Sequence, residues 1–155
     1  MNIQAYEFES HRILRGKLAA YLDHYSHQRL TDIPYGHRNH IFWNIAHVLV
    51  TQQLLCYYLA DRPMQVSAEL VQRYKKGTVP DPQADISRDL QEVKSLIHST
   101  ANRLQEDHIA GNFTDYQQYA TSFGITLHNA QEAFRFNLMH ETLHLGTILS
   151  ISKLV

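Results

Sequence analysis

The chain has 155 residues, 44% of them apolar, enough for one substantial core and too few for two comfortable ones. Its 14 basic and 15 acidic side chains nearly cancel and form no run of one sign, which excludes an electrostatic footprint for nucleic acid or an anionic membrane and leaves small molecules or proteins as partners. Histidine is the outlier, at 11 residues with no tag-like tract.

The first segment, Met1 to Glu9, lacks the basic start and continuous apolar core of a signal peptide, and no stretch approaches the roughly 20 apolar residues of a membrane span. A cytoplasmic, unprocessed, single-domain protein spanning 1–155 is expected. From about Gln4 to His27, Leu14, Leu18, Tyr21, Leu22 and Tyr25 keep helical spacing, with Arg12, Arg15, Lys17 and Asp23 between them. Pro34 and Gly36 mark a loop, after which Asn39 can cap a second helix reaching about Ala60. That helix is apolar almost all round and should be the most buried. It carries the lone Cys56, which reads as a buried thiol in a reducing compartment.

Asp61, Arg62 and Pro63 end the second helix, and a long crossover follows with one short helical piece at Ser67 to Tyr74. Asp85 or Ser87 can cap a third helix whose stripe Ile86, Leu90, Val93, Ile97, Ala101 and Leu104 runs to about Asp107. Ala110 to Ile125 reads as an irregular connection with a short extended piece near Tyr116 to Tyr119. Thr126 is then expected to cap a fourth long helix ending near Lys153. Four long helices without a convincing strand pattern predict an all-α four-helix bundle with a long crossover and a short extra helix.

The chemistry concentrates in the fourth helix. His140 and His144 stand four residues apart, so one helical face carries both rings within reach of a single metal ion. The letters His140-Glu141-Thr142-Leu143-His144 also spell the zinc-protease signature, in which Glu141 would act as general base. Only 11 residues follow His144, however, and none of them is His, Asp or Glu, so the downstream third ligand of that signature is missing. Glu141 is therefore a weak catalytic candidate, with a salt bridge or a solvated carboxylate as its alternative.

A metal held by two side chains needs a third donor, and His47, inside Trp43-Asn44-Ile45-Ala46-His47-Val48-Leu49, is the best placed. A ring there without a partner would cost about 1–3 kcal/mol. Its other reading is a core histidine bonded to a carbonyl or a tyrosine hydroxyl. His40, two turns earlier on the same face, could line the mouth of a pocket but is expected to be solvated near the helix start, and His11 is a weak candidate for a pocket wall. His24, His27, His37, His98, His108 and His128 fall on polar faces or element ends. Trp43 and Asn137 read as packing residues that could also wall a pocket.

Together, Trp43-Asn44-Ile45-Ala46-His47, His140-x-x-x-His144-x-Gly146 and Tyr74-Lys75-Lys76-Gly77-Thr78-Val79-Pro80 resemble the DinB/YfiT-like superfamily over nearly the whole chain. The resemblance implies a four-helix bundle binding a divalent ion through His47, His140 and His144, with coordination positions left to water. Among its characterised relatives are low-molecular-weight-thiol S-transferases and a thiol-dependent maleylpyruvate isomerase, and homodimers are frequent. It implies a metal-dependent enzyme joining a small thiol cosubstrate to an electrophilic small molecule. A non-catalytic metal-binding or stress-associated bundle and a metal-dependent hydrolase using Glu141 are the alternatives. Imidazole ligands suit zinc, nickel, iron and copper alike, with zinc or nickel expected first and iron next.

Overall fold

A computed structural model of the chain describes residues 3–155. Met1 and Asn2, the start of the segment read above for a leader, lie outside the described residues. The described chain is mostly helical, with one two-stranded ribbon. No helix among the described residues is long and apolar enough to cross a membrane.

Helix α1 (Ala5–His24) opens with a reciprocal cap in which the Gln4 backbone N–H donates to Glu7 at 2.6 Å. It buries Phe8, His11, Arg15, Leu18, Ala19 and Leu22. The helix stops short of His27 because Ser26 caps a separate short helix, α2 (His27–Thr31), by accepting from the Arg29 N–H. Helix α3 (Ile41–Cys56) starts under His40 rather than Asn39: the His40 Nδ1 accepts from the Trp43 N–H at 2.9 Å. His40 is buried there, not solvated. As its all-round apolar sequence predicts, α3 is buried over almost its whole length. A 3₁₀ turn at Tyr58–Ala60 continues it, and Asp61, in the left-handed region at φ 53°, ends it.

The crossover contains α4 (Ala68–Tyr74), capped by Ser67. The predicted third helix is two, α5 (Ser87–Leu96) and α6 (Ser99–Ile109), interrupted at Ile97 and His98. Ser95, Ser99 and Thr100 crowd this point, and their hydroxyls donate to the carbonyls of Glu92, Ser95 and Leu96, competing with the backbone ladder. The apolar stripe crosses the break unchanged because Val93, Ile97, Ala101 and Leu104 all stay buried.

After α6 the chain forms a small antiparallel ribbon, β1 (Tyr119–Ala120) with β2 (Thr126–Leu127), where no strand pairing was expected. Gly124, at φ 76°, makes the turn, and the Thr121 hydroxyl donates to the Ile125 carbonyl across it. Thr126 therefore belongs to a strand. Helix α7 (Ala130–Ile151) is capped instead by Asn129, whose Oδ1 accepts from the Glu132 N–H at 2.9 Å.

Helix α3 packs most extensively on α7, and α1 lies against both α6 and α7. One apolar cluster runs through Leu18, Leu22, Ile45, Leu49, Leu70, Val93 and Ile148, and a second gathers Phe8, Leu55, Cys56, Leu104, Leu127 and Phe134. Met64 packs against both. The α3–α7 seam passes between helices that present histidines toward each other.

Candidate metal centre

His47 comes from the middle of α3, and His140 and His144 come from successive turns of α7. Their ring centroids lie 5.1 Å (His47 to His140), 4.8 Å (His47 to His144) and 4.5 Å (His140 to His144) apart. One nitrogen from each ring falls within 4.8 Å of the others. The rings are uncharged near neutral pH. Burial lowers the pKa of His47 despite its bond to the Tyr74 carbonyl, and burial together with the neighbouring rings pushes His140 down to about 4 and His144 to about 3. Neutral imidazoles keep a lone pair, as metal ligation requires.

Two of the rings are fixed through their far nitrogens. The His47 Nδ1–H donates to the Tyr74 carbonyl at 2.6 Å, which turns the Nε2 lone pair away from that carbonyl. Tyr74 is in turn held by its hydroxyl, which donates to Asp89 at 2.8 Å, and Asp89 also accepts from Arg73 at 2.7 Å. The His144 Nδ1–H donates to the Asn44 Oδ1 at 2.8 Å. The Asn44 amide has a fixed sense because its Nδ2 donates to the His40 carbonyl at 2.9 Å. Trp43 stacks flat on His47, with centroids 4.6 Å apart and planes 11° from parallel. His140 is the ring held by no protein group: its Nδ1 is buried without a hydrogen-bond partner among the described residues. Three neutral imidazoles, two pre-set in tautomer and one unsatisfied, form a donor set that fits a divalent ion of the zinc or nickel kind.

The three rings sit at one side of a cavity of about 410 Å³, walled mainly by apolar side chains of α3 and α7. The β1–β2 turn closes another side with Tyr119, Thr121 and Phe123. The Tyr116 hydroxyl, donating to the Leu55 carbonyl at 3.0 Å, anchors the connection that carries this ribbon to the end of α3.

Glu141 lies elsewhere. It is fully buried among α1 and α7, where its carboxylate accepts from Arg15 Nε at 2.9 Å, Arg15 Nη2 at 2.7 Å, His11 Nε2 at 3.0 Å and Asn137 Nδ2 at 2.7 Å. Burial alone would raise its pKa, but Arg15 and His11 outweigh it and hold the carboxyl well below the usual carboxylate range. It does not line the cavity. His11 and Asn137 belong to this charged cluster too, and not to the pocket wall. His108, expected on a polar face, is half-buried between Phe8, Phe113 and Phe134, and burial lowers its pKa to about 4. Cys56 is buried, with its thiol pushed up by burial and by the nearby Glu141 charge.

Sequence reasoning did not single out Tyr74 or Asn44 as partners of the histidines. A backbone carbonyl leaves no trace in a sequence. Asn44 does leave one: an amide three residues before His47, in an otherwise apolar helix, must find a partner on the same face.

A sequence model of the DinB superfamily matches residues 11–148, a span that includes all three histidines. No curated protein matches the chain.

Proposed function

Because the chain belongs to the DinB superfamily, we propose that His47, His140 and His144 hold a divalent metal ion and that the adjoining cavity takes a small-molecule substrate. The same membership supports reading α1, α3, the α5–α6 pair and α7 as the four members of a bundle. The observation that carries the metal reading is the pairing of two pinned neutral imidazoles with a third whose buried Nδ1 has no hydrogen-bond partner among the described residues.

The reaction we favour joins a low-molecular-weight thiol to an electrophilic small molecule, as an S-transferase or a thiol-dependent isomerase would. A bound divalent ion supplies Lewis acidity, which favours the thiolate form of a thiol at neutral pH. The chain's own residues do the rest. Tyr74 and Asn44 orient the ligand rings, and the apolar walls exclude water from the reacting pair. The thiol gives up its proton to solvent as it enters, a C–S bond forms at the electrophilic carbon, and the displaced electron pair leaves with the leaving group or takes up a proton from solvent. The attacking thiol arrives as a cosubstrate, since Cys56 is buried, with its pKa raised.

A closed structural ion is the competing reading, and the open cavity beside the rings weighs against it. Glu141 as hydrolytic base is disfavoured by the four hydrogen bonds that occupy its oxygens. Elemental analysis of purified protein tests the metal: about one divalent ion per chain is expected, lost when His47, His140 or His144 is singly replaced by Ala. Protein without metal, or variants with unchanged metal content, would end this reading. Zinc or nickel is the expected ion, with iron next. A cytoplasmic setting and a homodimer complete the proposal, the latter checked by sedimentation equilibrium.

A further inference from the structure

The cavity beside the three rings has an uneven charge. Its walls are largely hydrocarbon and aromatic, including Leu54, Tyr58, Phe123, Phe136 and Leu143, and among the described residues no carboxylate lines it. Among the same residues Lys76 is its one lysine or arginine. No acidic group pairs with Lys76 among the described residues, although other surface cations, such as Lys94 with Asp23 and Arg103 with Asp107, do have such partners.

Its position is built rather than incidental. Lys76 follows the end of α4 in a turn where Gly77 takes φ 92° and the Thr78 hydroxyl donates to the Arg73 carbonyl at 2.8 Å. Two residues earlier, the Tyr74 carbonyl accepts the His47 Nδ1–H. One short segment thus orients a ring of the triad and brings the Lys76 side chain to the wall of the same cavity. An ion held by the histidines would add positive charge, so both polar poles of the cavity favour an anion. Apolar walls between them favour a hydrocarbon body.

We propose that the substrate of this cavity is an amphipathic monoanion, an apolar or aromatic carboxylate whose body packs on Leu54, Phe123 and Phe136 and whose charged end is selected by Lys76. The proposal rests on the small-molecule reading of the cavity and assigns the charge to the electrophile.

The test uses the full chain with and without added zinc and compares two fluorescent probes of similar size, anionic 8-anilinonaphthalene-1-sulfonate and neutral N-phenyl-1-naphthylamine. Lys76→Met should weaken the anionic probe about tenfold and leave the neutral one unchanged, and Lys76→Arg should restore the anionic affinity. Leu143→Trp, which narrows the cavity at an exposed position, should weaken both probes. Cinnamate should displace the anionic probe, whereas neutral cinnamamide at the same concentration should displace it far less. Equal loss of both probes in Lys76→Met, indifference of the anionic probe to that change, retention of both probes in Leu143→Trp, or equal displacement by cinnamamide would each overturn the proposal. The metal-free arm keeps this outcome separate from metal binding, which elemental analysis decides independently.

Discussion

Asn44 is the side chain through which the start of α3 sets the tautomer of His144, and its amide has no freedom to turn while the His40 carbonyl holds its other end. Asn44→Ala should therefore lower the affinity for a divalent ion by about 10–100-fold without removing a ligand. Competition against a chromophoric chelator reads this directly, and unchanged affinity would show that the ring needs no such hold. Glu141 makes the opposite prediction. Glu141→Gln leaves Arg15 and His11 buried beside a neutral amide and should cost about 3–5 kcal/mol of stability, measured by urea unfolding. Metal content per folded chain should be unchanged. The two residues also mark what the sequence discloses. The i, i+4 pair and the isolated His47 are legible because each strains the local pattern, a polar ring in an apolar run. The burial of Glu141 is not, because the partners that stabilise it, Arg15 and His11, come from more than a hundred residues away.

At the scale of the elements, the apolar periods located every long helix and misplaced several ends. Period reports which face is buried, whereas ends are decided by single hydrogen bonds. Asn39 and Thr126 are good capping types, yet His40 and Asn129 hold the first-turn N–H groups. The α5–α6 break lies inside an unbroken stripe, since the competing hydroxyls at Ser95, Ser99 and Thr100 act on the backbone and leave the pattern of burial intact.

The unusual cap on α3 has a pH signature. The His40 Nδ1 must be unprotonated to accept from Trp43, and burial, with a smaller contribution from His27, lowers its pKa to about 4 from 6.5. In the folded protein His40 then stays neutral where the unfolded chain has taken up a proton. Its contribution to stability is complete above about pH 6.5 and is lost as the pH falls toward 4, by about 1–3 kcal/mol. Urea midpoints at pH 7.5, 6 and 4.5 on metal-free protein check this. His40→Asn keeps a capping oxygen and should reduce the dependence, leaving the parts due to His47, His108, His140 and His144. An unaltered slope would remove His40 from the account.

The whole molecule separates its stability from its candidate chemistry. Both apolar clusters close without the three rings, so stripping metal with a chelator should leave a folded, cooperative protein. Adding zinc at about 100 times its dissociation constant should then stabilise the fold by about 2.7 kcal/mol, a rise of roughly 5–10 °C in Tm. His140→Ala should abolish that rise while still folding. Thermal unfolding of metal-free, zinc-loaded and variant protein decides the matter: an apo chain that is unfolded would favour the structural-ion reading. The broad helical architecture was legible from periodicity alone. The cavity was not, because part of its wall comes from a ribbon of two-residue strands, too short to show any alternation.

Trp43 is the chain's single tryptophan, and it lies face to face with His47 at 4.6 Å. The protein thus carries an intrinsic optical reporter at the one place where occupancy matters. Its indole emission should be quenched as a paramagnetic ion such as Cu²⁺ enters and restored when a chelator withdraws it, so the filling of the site can be followed in unlabelled protein, in real time, with no assay for turnover.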